Sequence, residues 1–349
     1  MAGSGARSRK VGGARLSRMR DEDLLGLRFR DLGVRLEGTD VGRRVRRLMG
    51  ELGDKGLAFR PYVWVSVEWM TPVGLTGFGV PFYLCHPRLT RLERTMMFEA
   101  EGSGERECMK ILRHETGHAI QYAYRLNRRK RWRELFGSSG QAYPETYQPK
   151  PYSKKYVQHI HDWYAQSHPD EDFAETFAVW LTPKSGWKRR YAGWAALKKL
   201  EYVDELMSEI AGKKPLVSTR ERQDSIATIG ATLGEHYGSR QDQYALEHPA
   251  FHDQHLRKLF PEEMATGRTK GAGAFLRAHR RELRRLVSYW TGQYQYMIDQ
   301  VLWEMIERCE ALGLRASVEE EERLTREAAI MLTVQTMNYL HSGMHRVSM

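Results

Sequence analysis

Two histidines four positions apart with a glutamate between them can hold and serve a metal ion if the backbone there is helical. The stretch ILRHETGHAIQYAYRL, residues 111–126, carries His114, Glu115 and His118 in the H-E-x-x-H pattern. One helical turn sets both imidazoles on the same face, where each can reach one zinc at about 2.0–2.1 Å. Glu115 is rotated by roughly 100° from His114, which puts it beside the metal's water and not on the metal, the place for a general base. The five-residue pattern is common by chance, and a solvated His-Glu-His face is the plain alternative. Its surroundings favour a site. Cys108, Ile111, Leu112, Ala119, Tyr122, Ala123 and Leu126 form an apolar stripe that predicts an amphipathic helix from about 107 to 126, and Gly117 leaves room beside the histidines.

Such a centre wants a third ligand, and DEDFAETFAVWL, residues 170–181, is a second short helical pattern that stops near Pro183. Phe173, Phe177, Trp180 and Leu181 occupy one side and Ala174 and Ala178 lie elsewhere, so the helix should be buried nearly all round. Glu175 then has no wet face, and a buried carboxylate must be paired or metal-bound. Glu171 lies one turn earlier on the same face. These positions suggest Glu171 as third ligand and Glu175 as acceptor for the distal N–H of one ligand histidine, His114 being the expected one. Acids at 170–172 could instead merely complement a helix N-terminus, which leaves Glu175 unexplained. Asp172 is an alternative ligand, but it points about 100° away from Glu171.

Several elements must position these residues. The 349-residue chain is long enough for one large or two ordinary domains, with 41% hydrophobic and 28% charged residues, near globular averages. LGVRLEG reads as a short strand, DVGRRVRRLMGEL as a helix with Asp40 as a possible N-cap, and PYVWVSVEW as a strand. GFGVPFYLCHP is strand-like, with Pro81 assigning it to a sheet edge or bulge. Residues 137–156, rich in Gly, Ser, Pro, Tyr and Lys, read as a long irregular loop of the kind that is usually functional or mobile. Beyond about 215 the pattern is helical, with a His-bearing polar loop at 247–255. Two periodic stretches, 273–312 and 318–341, suggest a helical hairpin whose second arm opens on a Ser317/Glu320 capping box.

The formal net charge is +11. Residues 1–20 hold Arg7, Arg9, Lys10, Arg15, Arg18 and Arg20 and no acid, which predicts a disordered basic tail able to bind nucleic acid weakly. No apolar signal core follows the tail and no run of 18 apolar residues exists, so a cytoplasmic location without membrane insertion is expected, although the Arg-rich tail leaves a transit role open. Cys85, Cys108 and Cys309 show no paired spacing, which argues against a disulfide framework.

LRHETGHAIQYAYRL followed by YAQSHPDEDFAETFAVWL resembles the bacterial zinc-binding metallopeptidases of the gluzincin clan, over about residues 20–210. More distantly the pair of motifs is similar to the catalytic domain of anthrax lethal factor, where E-x-x-x-E on the later helix supplies the third ligand and a supporting acid. The resemblance implies Glu171 and Glu175 in those roles. It also implies a tyrosine seven residues before the ligand glutamate, here Tyr164, as a donor to the oxyanion, against the alternative of an aromatic packing residue. It further suggests GFGVPFYL as the edge strand along which a peptide lies antiparallel.

The expectation is therefore α+β: a zincin-like domain at 21–214 with a small mixed sheet and the H-E-x-x-H helix, then a mostly helical region at 215–349. The expected activity is hydrolysis of peptide or protein substrates by a one-zinc (Zn2+) metallopeptidase. Two rivals remain, a regulatory peptidase of the ImmA/IrrE type with one protein partner and a non-catalytic zinc-containing binding module. The second has no use for Glu115, and a closed structural site takes four protein ligands, usually with cysteine.

Overall fold

Helices dominate the computed structural model, with short extended segments between them, so the chain is α+β. The structure describes residues 10–144, 147, 149–150, 153–160, 163–243, 253–262 and 268–341. In chain order come α1 (Gly13–Leu16), α2 (Asp21–Leu25), α3 (Asp40–Asp54), β1 (Tyr62–Ser66), β2 (Gly77–Pro81), α4 (Pro87–Met97), α5 (Glu105–Ala123), α6 (Lys130–Phe136), α7 (Pro169–Leu181), α8 (Trp187–Arg190) and α9 (Ala196–Ile210). They are followed by α10 (Leu233–Gln243), α11 (Asp253–Leu259), β3 (Thr269–Gly271), α12 (Ala272–Thr291), α13 (Gln295–Ala311), β4 (Arg315–Ser317) and α14 (Glu321–His341). Two compact units result, the first running to Glu235 and the second from His236, with Thr95–Glu99 grouped with the second.

In the first unit α5 packs along α7. Gly117 makes that approach possible, because a Cβ there would stand 2.7 Å from the Ala174 Cα. All thirteen residues of α7 are buried. Its start is fixed by Pro169 at the first helical position and by His168, whose Nδ1 accepts from the Asp170 amide at 3.1 Å.

Beside this pair lie β1 and β2, which are parallel and in register from Tyr62 opposite Gly77 to Ser66 opposite Pro81. β2 lies at the edge of a two-stranded sheet, as Pro81 predicts, but GFGVPFYL does not present that edge freely. All five residues of β2 are buried, Phe82–Cys85 turn into a 3-10 helix, and the Gly79 amide donates to the Met70 carbonyl at 2.8 Å. Gly79 leaves room for both neighbours because it has no side chain: a Cβ would come within 2.6 Å of the Ser66 Cβ on β1 and 3.1 Å of the Met70 Cγ.

Other boundaries shift as well. LGVRLEG is not a strand, and Thr39 caps α3 in place of Asp40, its hydroxyl accepting from the Gly42 amide at 3.0 Å. Within the expected tail, residues 10–20 are ordered: Val11 donates its amide to the Asp31 carbonyl, and Leu16 is fully buried in the first unit. Residues 1–9 lie outside the described residues. Composition misleads here because two apolar residues suffice to anchor a segment that otherwise reads as basic and glycine-rich.

The 214/215 boundary moves for a similar reason. Residues 216–232 return to the first unit through extended contacts, including the Thr219 and Thr76 hydroxyls at 3.1 Å and the Trp64 indole N–H donating to the Gln223 carbonyl at 2.9 Å. The second unit is built on α12, α13 and α14 around a core that includes Phe260, Phe275, Leu302 and Leu332. The 273–312 stretch breaks into α12 and α13 at Gly292, which caps α12 with φ 73°. Ser317 ends β4, paired antiparallel to β3, and opens no capping box. His255 lies on α11, whereas His248 and His252 are outside the described residues.

Candidate metal centre

His114 and His118 sit one turn apart on α5, and α7 brings Glu171 to them. One ligand atom from each of the three lies within 4.8 Å of the others, and all three residues are buried. Nε2 of His114 is 3.0 Å from Nε2 of His118, and Glu171 Oε2 is 3.0 Å from the first and 3.2 Å from the second. Tetrahedral ligands at about 2.0–2.1 Å from zinc stand about 3.3 Å from each other, so this triangle has the right size.

The chemistry of the donors fits too. His114 Nδ1 is 2.9 Å from Glu175 Oε1, and when that nitrogen carries the proton Nε2 turns a lone pair towards the other two ligand atoms. Three electron-rich atoms converging in a buried space call for a cation between them. Burial opposes charge on Glu171, but the imidazoles of His118 and His114 hold its carboxyl well below the usual range. Burial likewise opposes a charged His114, yet hydrogen bonds to Glu171 and Glu175 raise its pKa well above the ordinary value.

Glu175 is held on both sides. Its Oε2 accepts the Ile160 amide at 2.8 Å, so the chain at 158–160 fastens the carboxylate that orients His114. Despite burial, His114, His159 and the Ile160 amide keep Glu175 lowered and ionised. Asp172 points elsewhere, to the Lys199 ammonium, and burial pushes its carboxyl up to about 7. Asp170 accepts from the Tyr122 hydroxyl at 3.3 Å. Each of the four acids of α7 thus has its own partner, and only Glu171 faces both histidines.

Glu115 accepts a hydrogen bond from the Thr71 hydroxyl at 2.7 Å through Oε2. The Tyr164 ring centroid is 5.7 Å from that of His114. Burial and the charges of Glu171 and Glu115 raise the Tyr164 phenol well above its ordinary value, so it stays protonated and able to donate.

Three contributors had no individual signal in the sequence: Thr71, Ile160 and Tyr143, whose hydroxyl donates to Glu171 Oε1 at 2.9 Å. Tyr143 belongs to the irregular 137–156 stretch, whose composition suggests a functional or mobile loop and singles out no residue within it. Of the nearby histidines, His168 caps α7, and His159 is buried with Nε2–H donating to the Lys110 carbonyl at 3.1 Å. His161 is outside the described residues.

Residues 92–193 match the family model described as Putative zinc-binding metallo-peptidase. No curated protein and no solved structure matches the chain, and the comparisons show no likeness to the lethal factor catalytic domain. Among the described residues no helix is long and apolar enough to cross a membrane.

Proposed function

We propose that the matched region is the catalytic part of a zincin-like, gluzincin-type peptidase that holds one zinc through His114, His118 and Glu171. The observation that carries this reading is the buried convergence of those three ligand atoms, with Glu115 on the same helix outside the ligand set. Zinc, when bound, supplies Lewis acidity that makes water nucleophilic near neutral pH and polarises a carbonyl.

The chain supplies the rest. Glu115 takes the proton from the attacking water and returns it to the departing amine, while the Thr71 hydroxyl fixes the direction of its carboxylate. Tyr164 donates to the oxygen on which charge develops. Glu175 holds His114 in one tautomer through Nδ1. Since β2 is covered, the segment at Met70 and Thr71, which overlies Gly79 and touches Glu115, is the proposed wall against which the peptide backbone lies.

A non-catalytic zinc module is disfavoured because such a site closes its fourth position with a protein ligand, and the three cysteines are buried away from the metal group. The test is elemental analysis of the purified protein with cleavage of a peptide library. About one zinc per chain and cleavage that a chelator abolishes and added zinc restores are expected. Protein that takes up no zinc, or cleavage indifferent to chelation, overturns the reading.

A further inference from the structure

A cavity of about 550 Å³ in the first unit opens beside the first turns of α5. Its wall carries Arg47, Arg106, Lys110, Arg113 and Arg190, with Glu105 the one acid. Two of the five cations are already balanced. Arg113 donates to both oxygens of Glu51 at 2.8 Å, and Arg47 donates to Glu51 at 3.2 Å and to Glu105 at 2.8 Å.

The other three have no carboxylate partner. Arg106 makes no ion pair or hydrogen bond among the described residues. Arg190 donates only to the Gln158 carbonyl at 3.3 Å, and the Lys110 ammonium only to the His159 carbonyl. Lys110 feels this crowding: burial lowers its pKa, Glu175 opposes the shift, and Arg106 and Arg190 add to it. Three like charges face one cavity, and an anion placed there would relieve their mutual repulsion.

We propose that this cavity binds a phosphomonoester, independently of the metal centre. Two guanidinium groups and an ammonium match the charge and the several acceptor oxygens of a phosphate dianion, which guanidinium binds in a two-pronged fashion. The cavity is several times larger than a phosphate group alone needs, and Met109, Val179 and Pro183 on its wall offer apolar contact for the organic part. The phosphate can arrive on a free metabolite or on a phosphorylated side chain of a polypeptide, and the chemistry of recognition is the same.

Calorimetric titration of the purified full chain at fixed ionic strength tests this, with inorganic phosphate, phenyl phosphate and a short phosphoserine peptide as probes. One saturable site is expected, tighter for an ester than for inorganic phosphate. Affinity should fall at least roughly tenfold in the double variant Arg106→Ala/Arg190→Ala and be largely kept in Arg106→Lys/Arg190→Lys. Both arginines are exposed, so the fold should persist. A tighter peptide than phenyl phosphate locates the source in a polypeptide and the reverse in a metabolite, and either order supports the site. The unaltered chain after treatment with a chelator should bind phenyl phosphate unchanged, so the test survives failure of the metal reading. Absence of saturable binding, binding indifferent to the double Ala variant, or binding lost in the chelator-treated chain overturns the proposal.

Discussion

Tyr143 donates its hydroxyl hydrogen to Oε1 of Glu171 at 2.9 Å, while Oε2 of the same carboxylate faces the two imidazoles. Its ring lies flat on that of His168, 3.8 Å between centroids, and His168 Nε2–H donates to the Gln141 carbonyl at 3.1 Å. The segment before Tyr143 is thereby pinned to the N-terminus of α7, and the pin ends on a proposed zinc ligand.

Removing the hydroxyl while keeping the ring should therefore free Glu171 without unfolding the segment. Tyr143→Phe is expected to weaken zinc binding about tenfold, measured by competition with a chromophoric chelator. Zinc affinity equal to that of the parent would mean that Glu171 is held by α7 alone.

Glu175 and Asp172 offer a contrast on one helix. Glu175→Ala should weaken zinc binding by roughly 10–100-fold, because His114 loses the partner of its Nδ1. Asp172→Asn, on the Lys199 side, should change zinc affinity far less and act on thermal stability instead. The opposite order of effects on the metal would show that the wrong face of α7 has been assigned.

Tyr164→Phe should lower kcat with little change in zinc content, since its hydroxyl is proposed to act on the transition state. Zinc lost in parallel with activity would make Tyr164 a structural residue.

His159 makes a pH dependence. Burial lowers its pKa from 6.5 to about 4, so between these values the unfolded chain binds more protons than the folded one. The stability it contributes is complete above 6.5 and is lost as pH falls towards 4. Thermal melts of the zinc-loaded protein between these limits should show Tm falling with pH, and His159→Gln should fall less steeply. Parallel curves for the two proteins would assign the loss to another group.

What the sequence made legible was periodic. His114, His118, Glu171 and Glu175 could be placed because a helix of known pitch fixes which residues share a face, and because a carboxylate in an apolar helix demands a partner. Thr71, Tyr143 and Ile160 could not, since their partners are 44, 28 and 15 residues away along the chain and the contacts form only when loops close on the helices. β2 is an edge strand as Pro81 predicts, but its freedom at Gly79 is lost on the same kind of detail: nothing local to β2 announces that Met70 will bridge Gly79. Residues 216–232 lack any helical period and still belong to the first unit, because pairing through Thr76, Ser66 and Trp64 is a property of the partner segments.

Glu115→Gln separates holding the metal from using it. The amide nearly preserves the shape of the side chain and its oxygen can still accept from the Thr71 hydroxyl, so α5 and its contacts should remain intact. The ligand set proposed here does not include Glu115, so zinc content should equal that of the parent. What the amide cannot do at neutral pH is take the proton of the attacking water, and loss of that step should cost at least roughly 10²–10⁴ in rate. His118→Ala should instead lose zinc and cleavage together, because it deletes a ligand. The two variants are to be compared on one peptide substrate with zinc measured on the same samples. Near-normal cleavage by a zinc-replete Glu115→Gln protein would overturn the role of Glu115 while leaving the metal centre standing.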